Sequence, residues 1–163
     1  MGSYRDLAVW EKGIALAKAI YELTATFPAD ERFGLTNQMR RCSVSIPSNI
    51  AEGYGRSSDK ELIQFLYVAL GSSNELDTQL VISRELAYIN DNSFDEARTQ
   101  NDEVSKMIRS LIYRRKNGLD KNSYVFKFIC FEFVRCYPIC KLKTQKLKFK
   151  TQKLRTSKLR PQT

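Results

Sequence analysis

The sequence has 163 residues, a formal net charge of +9, four cysteines and no histidine. A chain of this length can form one domain with a substantial hydrophobic core. The absence of histidine excludes Ser-His-Asp and Cys-His nucleophile systems, histidine-bound zinc hydrolases and Glu-x-x-His di-iron bundles. Neither a Walker loop nor a G-x-G-x-x-G dinucleotide motif is present. We therefore expect a protein with no catalytic residues, no metal and no cofactor.

The sequence shows neither a membrane-spanning segment nor a secretion signal. It contains no uninterrupted run of 18 apolar residues. Its beginning includes Asp6 and Glu11 and lacks an apolar region followed by a small-residue cleavage site. Cys42 lies on a predicted helical apolar stripe, where a buried thiol is common, and the other cysteines fit no standard zinc pattern. We predict a cytoplasmic protein that makes no contact with a membrane.

The excess positive charge is concentrated in the last part of the chain. Residues 1–118 contain 15 lysines and arginines against 16 acidic residues, whereas residues 119–163 contain 12 against two. The first part is therefore nearly neutral, while the second carries a net charge of +10. Any contact between residues 1–118 and phosphates must then come from a local cluster of cations.

A first helix is predicted from about Arg5 to Thr26, because apolar residues recur every three to four positions through this segment. Ser3 and Asp6 resemble a capping box at its start. Phe27-Pro28 ends the helix, since the residue before a proline is disfavoured in the α region.

A second helix is predicted from about Gly34 to Gly53, with an apolar stripe formed by Leu35, Met39, Cys42, Ile46 and Ile50. Pro47 lies inside it, where a proline removes one backbone hydrogen bond and predicts a structural kink. One interpretation is that Pro47 bends the helix around the core or marks a helix end. The other is that the bend directs Arg40 and Arg41, which lie off the apolar stripe, away from the bundle or toward a neighbouring subunit.

A third helix starts at the capping box Ser58-x-x-Glu61 and ends near Tyr88. The segment Asn90-Asp91-Asn92 is interpreted as a turn. A fourth helix starts at a second capping box, Ser93-x-x-Glu96, and is followed by Gly118, a residue typical of the position after a helix.

Four amphipathic helices joined by short links predict an all-α fold, an up-down-up-down antiparallel four-helix bundle over residues 1–118. Residues 119–163 are predicted to form a basic C-terminal extension outside the bundle that is poorly ordered. Within it, Tyr124–Cys140 is rich in aromatic and β-branched residues, and Lys-Leu-Lys/Arg then recurs at 141, 146, 153 and 158. Three interpretations of this extension stay open: a disordered tail, a read-through or frameshifted sequence, and an electrostatic arm for nucleic acid.

A set of short motifs lies within residues 4–116. They are Tyr4-Arg5-Asp6-Leu7 with Trp10, Phe27-Pro28, Phe33-Gly34-Leu35, Gln38-Met39-Arg40-Arg41, Ser45-Ile46-Pro47, Asn49-Ile50-Ala51-Glu52-Gly53, Gly71-Ser72 and Glu75-Leu76-x-Thr78-Gln79-Leu80. In these motifs the chain resembles the bacterial four-helix-bundle proteins encoded in intervening sequences of 23S rRNA genes. That family also includes the accessory variability determinant of diversity-generating retroelements. The resemblance implies a homopentamer that binds RNA or an RNA-handling protein, and it implies no known catalysis.

The predicted function is that of a non-enzymatic RNA-binding or ribonucleoprotein adaptor. One nearly neutral bundle has too few cations for tight phosphate binding, because affinity increases with the number of phosphates neutralised. A ring of subunits would repeat the candidate nucleic-acid-binding residues Arg40, Arg41, Arg56 and Lys60. Assembly would then be part of the mechanism.

Two alternatives stay open. The first is a protein-interaction scaffold of the reverse-transcriptase accessory type, without RNA specificity of its own. In that case Arg40 and Arg41 would pair with acids such as Glu52 or Asp77 of a neighbouring subunit. The second is an enzyme that uses carboxylates, which is less favoured because Glu75 and Asp77 are two residues apart and point in different directions on a helix.

Overall fold

The computed structural model describes residues 3–118, so the predictions for residues 119–163 lie outside the described part of the chain. Four α-helices make up most of that part: α1 (Ala8–Leu23), α2 (Leu35–Tyr54), α3 (Asp59–Glu85) and α4 (Asp91–Lys116). Residues 3–118 contain no β-strand. The prediction of an all-α four-helix fold is confirmed. None of these helices is both long enough and apolar enough to cross a membrane.

The four helices surround one hydrophobic core. α1 and α3 each pack against both α2 and α4, but α1 and α3 make no close backbone contact, so they lie on a diagonal of the bundle. Short links between consecutive helices make neighbouring helices antiparallel. The largest fully buried apolar side chains come from every helix: Leu16, Ile20, Met39, Ile46, Ile50, Leu66, Leu76, Leu80, Val104 and Ile108. The apolar stripes seen in the sequence therefore face this core.

The first helix is shorter than predicted because both of its ends tighten into 3-10 turns, Tyr4–Asp6 and Thr24–Thr26. The Ser3 amide donates to Asp6 Oδ2 at 2.9 Å, and the Ser3 hydroxyl accepts from the Arg5 amide at 3.2 Å. This confirms the predicted capping box. It caps the first 3-10 turn, however, and not α1 itself.

α2 agrees with its predicted span to within one residue and continues through Pro47. The interpretation of Pro47 as a helix end is therefore wrong. Serine side chains add hydrogen bonds to carbonyls in the neighbouring turns. Ser43 Oγ donates to the Arg40 carbonyl at 2.9 Å, and Ser48 Oγ donates to the Val44 carbonyl at 2.8 Å. Such local bonds are typical of serines in helices that bend or lose a backbone bond.

α3 begins at the predicted cap. The Ser58 hydroxyl accepts from the Glu61 amide at 3.3 Å and donates to Glu61 Oε2 at 2.8 Å. The carboxylate of Glu61 therefore bonds to the cap's side chain, whereas a full capping box would have it accept from the cap's backbone amide.

The predicted end of α3 near Tyr88 is wrong, because the helix ends at Glu85. Ala87 has a φ of 56°, in the left-handed region. Its amide donates to the Arg84 carbonyl at 2.9 Å, and the Tyr88 amide donates to the Ser83 carbonyl at 2.9 Å. This pair of bonds is a Schellman motif, which normally has glycine at the left-handed position.

The predicted start of α4 at Ser93 is also wrong. The helix begins at Asp91, and Asn90 is its N-cap, with its side-chain oxygen accepting from the Ser93 amide at 2.9 Å. Asparagine and serine cap helices about equally well, so the residue types alone do not decide between Asn90 and Ser93. Gly118 follows the C-cap Asn117 with a φ of 62°, which agrees with its predicted place after the helix.

A buried polar cluster joins α3 and α4 inside the core. Asn101 is only 2% exposed, and its Nδ2 donates to the Ser73 carbonyl at 2.9 Å. The Ser73 hydroxyl donates to Asn101 Oδ1 at 2.7 Å and lies 2.8 Å from the Ser105 hydroxyl. The asparagine amide is thus bonded through both its oxygen and its nitrogen, as a buried polar group must be to avoid a large desolvation cost.

Candidate nucleic-acid interface

Arg40 lies in the second turn of α2 and packs against the end of α1. Its Nε donates to the Thr24 hydroxyl at 2.8 Å, and its Nη2 donates to the Tyr21 carbonyl at 3.4 Å. Its guanidinium carbon lies 4.8 Å from the centroid of the Tyr21 ring. Carbonyls in the last turn of a helix lack a full set of intrahelical partners, so the arginine supplies a donor where one is needed.

Arg41 has a different environment, although it is the next residue. Its side chain is exposed and makes no hydrogen bond or ion pair within residues 3–118. Arg40 is only partly exposed. Of the two arginines, Arg41 is therefore the one that is free to contact a ligand.

Pro47 is buried and packs against α1 at Gly13. A Cβ atom added to Gly13 would lie 3.3 Å from Pro47 Cβ and 3.5 Å from Pro47 Cδ. The first of these distances is tighter than most side-chain contacts, so glycine allows α1 and α2 to approach each other closely at this point. Pro47 is thus part of the α1–α2 contact.

Arg56 and Lys60 lie at the other end of α2, around the link to α3. The Arg56 guanidinium pairs with Glu52 and lies 4.8 Å from the centroid of the Phe65 ring. Lys60 is exposed and makes no ion pair within residues 3–118. Arg41 and Arg56 are separated by most of α2, about 22 Å at the usual helical rise. The four candidate residues therefore form two separate pairs and not one patch.

The carboxyl end of α4 adds cations to the pair formed by Arg56 and Lys60. Arg115 Nη1 lies 3.0 Å from Asp59 Oδ1, and Arg115 Nη2 donates to the Tyr54 hydroxyl at 3.0 Å. Together with the first residues of α1 and the turn before it, this end of the bundle holds eight cations against five acids. The cations are Arg5, Lys12, Arg56, Lys60, Arg109, Arg114, Arg115 and Lys116, and the acids are Asp6, Glu11, Glu52, Asp59 and Glu61. We call this end of the bundle the basic end. The basic run at 114–116 is visible in the sequence, but only antiparallel packing places it beside Lys60.

The opposite end of the bundle is acidic. It holds seven acids, Glu22, Asp30, Glu31, Glu85, Asp91, Asp95 and Glu96, against five cations, Lys18, Arg32, Arg40, Arg41 and Arg84. Two of these cations pair with acids of the same end, Lys18 with Glu22 at 3.7 Å and Arg84 with Asp91 at 3.1 Å. Partial burial and the neighbouring Glu31 carboxylate raise the pKa of the Tyr88 phenol, whose hydroxyl donates to Glu31 Oε1 at 3.3 Å. The bundle is thus polarised along its axis, although its total charge is close to zero.

The acids considered in the alternative functions have partners within the chain. Asp77 pairs with Arg98 of α4 at 3.1 Å. Glu75 Oε1 accepts from the side-chain amide of Gln79 at 3.0 Å, on the same helix. Since these two carboxylates are bonded to different elements, they do not form a joint site.

Residues 5–110 match the profile of the family described as 23S rRNA-intervening sequence protein. The chain belongs to this family. The match covers nearly all of the bundle and confirms the resemblance seen in the sequence motifs. No curated protein matches the chain.

A solved structure is also similar to this chain. It is the crystal structure of a protein of unknown function from the S23 ribosomal protein family of Bacteroides thetaiotaomicron VPI-5482. The two chains share 25% sequence identity with a TM-score of 0.59, over 64% of this chain and 98% of the other. Nearly the whole of that protein therefore corresponds to part of this chain.

Proposed function

We propose that this 23S rRNA-intervening sequence protein is a homopentameric adaptor that binds RNA in a ribonucleoprotein particle and catalyses no reaction. The observation that carries this proposal is the basic end, where cations outnumber acids by eight to five. The sequence that follows Gly118 adds 12 lysines and arginines against two acids. A polyanion such as RNA is the ligand that matches this distribution of charge.

The candidate residues contribute to this function in different ways. Lys60 and Arg41 are exposed and make no ion pair within residues 3–118, so their full charge is available to phosphates. Arg56 shares its guanidinium with Glu52, which reduces its attraction for a second anion. Arg40 is held by Thr24 and Tyr21, so we assign it a mainly structural role.

Assembly is part of the proposal because a single bundle offers few free cations. The affinity of a protein for a polyanion increases with the number of phosphates that it neutralises. A cyclic assembly would repeat Lys60, Arg56 and Arg41 around one axis. Several weak contacts to one RNA strand would then act together.

Two exposed apolar surfaces support assembly into a ring. Val68 and Ile82 lie on the outer side of α3 and are 49% and 43% exposed, with the exposed Glu75 between them, and Leu86 at the end of the helix is 50% exposed. A shallow groove of about 230 Å³ between α1 and α2 is lined by Ile14, Val44 and other apolar side chains. These surfaces belong to different faces, and a contact between two different faces of identical subunits generates a closed ring when its rotation permits. We propose that the α3 line of one copy packs into the α1–α2 groove of the next.

The test is a binding titration of the full chain with fluorescently labelled single-stranded RNA at several salt concentrations. We expect binding at ~50 mM salt that weakens strongly by ~200 mM, because neutralised phosphates release counterions. Replacing Lys60 with alanine is expected to lower the slope of log affinity against log salt by about 0.7 for each phosphate that the variant no longer neutralises. The matched control is Lys18→Ala, because Lys18 is an exposed lysine on α1 that pairs with Glu22.

The opposite result would be a stable oligomer that binds no RNA even at low salt. That outcome would exclude the RNA-binding proposal and favour the protein-interaction scaffold.

A further inference from the structure

The outer sides of α3 and α4 form one continuous surface near the basic end. Lys60 and Tyr67 are seven residues apart on α3 and therefore share a side of that helix. Arg109, Tyr113 and Lys116 follow at spacings of four and three on α4. Lys116 Nζ donates to the Tyr67 hydroxyl at 2.8 Å, so the two sides adjoin. We call these five residues the tyrosine face.

Two aromatic rings on this face are open to solvent. Tyr113 is 63% exposed and Tyr67 is 48% exposed. Large aromatic side chains usually bury most of their surface, because each carries a large apolar area. The Lys116 ammonium lies 5.1 Å from the centroid of the Tyr67 ring, so Tyr113 is the more accessible platform for another flat, apolar group, with the Tyr67 ring beside it.

The charge around these rings is positive. Lys60, Arg109 and Lys116 are exposed and form no ion pair within residues 3–118. Two nearby acids have partners of their own: Asp59 pairs with Arg115, and Glu61 accepts a hydrogen bond from Ser58. Asp102 lies two turns farther along α4 than Arg109, toward the acidic end.

We propose that the tyrosine face binds single-stranded RNA, with bases stacked on Tyr67 and Tyr113 and phosphates held by the three cations. This inference rests on the proposed function and states where and how the RNA binds. Exposed aromatic rings interleaved with cations are the usual means of holding single strands, since every base offers a flat surface for stacking. In a duplex the bases are already stacked on one another and are not available to such rings.

The experiment uses the full chain and a labelled oligouridylate, with binding followed by fluorescence anisotropy at fixed salt. Tyr113→Ala is expected to weaken binding by about fivefold or more, the usual effect of removing one stacked base. Tyr113→Phe keeps the ring and is expected to bind like the parent. Tyr21→Ala is the matched control, since Tyr21 is 46% exposed but lies at the acidic end. Circular dichroism of each variant checks that the helices are retained.

Photocrosslinking gives a second and independent readout. An oligouridylate that contains 5-iodouridine crosslinks efficiently to aromatic side chains on which the modified base stacks. We expect peptide mass spectrometry to locate crosslinks at Tyr67 and Tyr113. We also expect a duplex of the same length to bind more weakly and to give no crosslink at these residues.

The outcomes separate this inference from the proposed function. If the parent binds no oligouridylate at low salt, both are overturned. If the parent binds, but Tyr113→Ala and Tyr67→Ala bind equally well and crosslinks fall elsewhere, RNA binding stands and the tyrosine face is excluded as its site. A duplex that binds as tightly as the single strand would overturn the stacking mechanism.

Discussion

Arg40 of α2 donates from its Nε to the hydroxyl of Thr24, just beyond the end of α1, at 2.8 Å. Thr24 in turn donates from the same hydroxyl to the Ile20 carbonyl at 2.7 Å. The end of α1 is thus capped by a side chain from the next helix. Arg40 therefore stabilises the fold, whereas the exposed Arg41 does not, and the two residues should differ in their effect on the free energy of unfolding.

Replacing Arg40 with alanine is expected to lower the free energy of unfolding by about 1–2 kcal/mol, because the variant cannot form this partly buried charged hydrogen bond. Arg41→Ala is expected to change it by less than about 0.5 kcal/mol, as for other exposed residues. Urea unfolding followed by circular dichroism measures both. If Arg41→Ala destabilised the protein as much as Arg40→Ala, the assignment of different roles to the two residues would be wrong.

Replacing Ala87 with glycine is expected to stabilise the protein. A left-handed conformation costs a residue with a Cβ about 1–2 kcal/mol, and the substitution removes this cost. Part of the resulting gain in stability is offset by the greater freedom of glycine in the unfolded chain. We expect a net gain of about 0.5–1 kcal/mol and a rise in Tm of a few degrees. Ala15→Gly, at an exposed position inside α1, should instead destabilise by about 1 kcal/mol. A loss of stability in both variants would contradict the role given to Ala87.

Burial raises the pKa of the Cys42 thiol from 9.0 to about 12, with a smaller contribution from Glu75. In the unfolded chain the thiol ionises near pH 9, whereas in the folded chain it stays protonated to higher pH. The contribution of Cys42 to the free energy of unfolding is therefore fully present below pH 9 and decreases as the pH rises toward 12. We expect the stability difference between the parent and Cys42→Ala to narrow over this interval in urea titrations. A difference that stays constant to high pH would show that Cys42 is not the group responsible.

Ending the chain at Gly118 is expected to leave the bundle folded. The buried apolar core of residues 3–118 draws on all four helices and includes Leu111 and Ile112 near the end of α4. We expect the shortened chain to retain its helical circular dichroism and to melt within about 5 °C of the full chain, a change of about 1 kcal/mol. A larger drop would mean that residues after 118 contribute to the stability of the bundle.

Introducing a charge on the outer side of α3 is expected to dissociate the proposed oligomer. Val68→Glu or Ile82→Glu would bury a carboxylate in an apolar contact between copies, which is costly unless it is paired. Light scattering should show a smaller particle than the parent, with circular dichroism unchanged. Thr99→Glu, at an exposed position on α4, serves as the control and should leave the size unaltered. A parent that is monomeric at micromolar concentration would refute the assembly itself.

Local sequence signals predicted the helices well and their ends less well. Ser58 and the spacing of apolar residues were enough to predict the start of α3. The end of α3 was missed because Ala87 takes a conformation that glycine usually adopts. The start of α4 was missed because Asn90 and Ser93 are both good caps, and the residue types alone do not distinguish them.

The candidate site was harder to predict because it depends on contacts between distant residues. The bond from Arg40 to Thr24 joins two helices, and no helical periodicity reveals it. Likewise, the contact between Lys116 and Tyr67 joins residues 49 positions apart. The family was recognisable from its motifs, but the place where cations and tyrosines come together required the packed bundle.

The buried amide of Asn101 also determines how the bundle is able to move. Its bonds to the Ser73 carbonyl and hydroxyl are satisfied at one alignment of α3 and α4 only. Sliding one helix along the other by a single turn, about 5.4 Å, would leave this amide without partners among apolar side chains. Asn101 therefore opposes sliding of α3 along α4. Any rearrangement that accompanies ligand binding must proceed by bending or by fraying at the helix ends, while the middle of the α3–α4 pair stays in place.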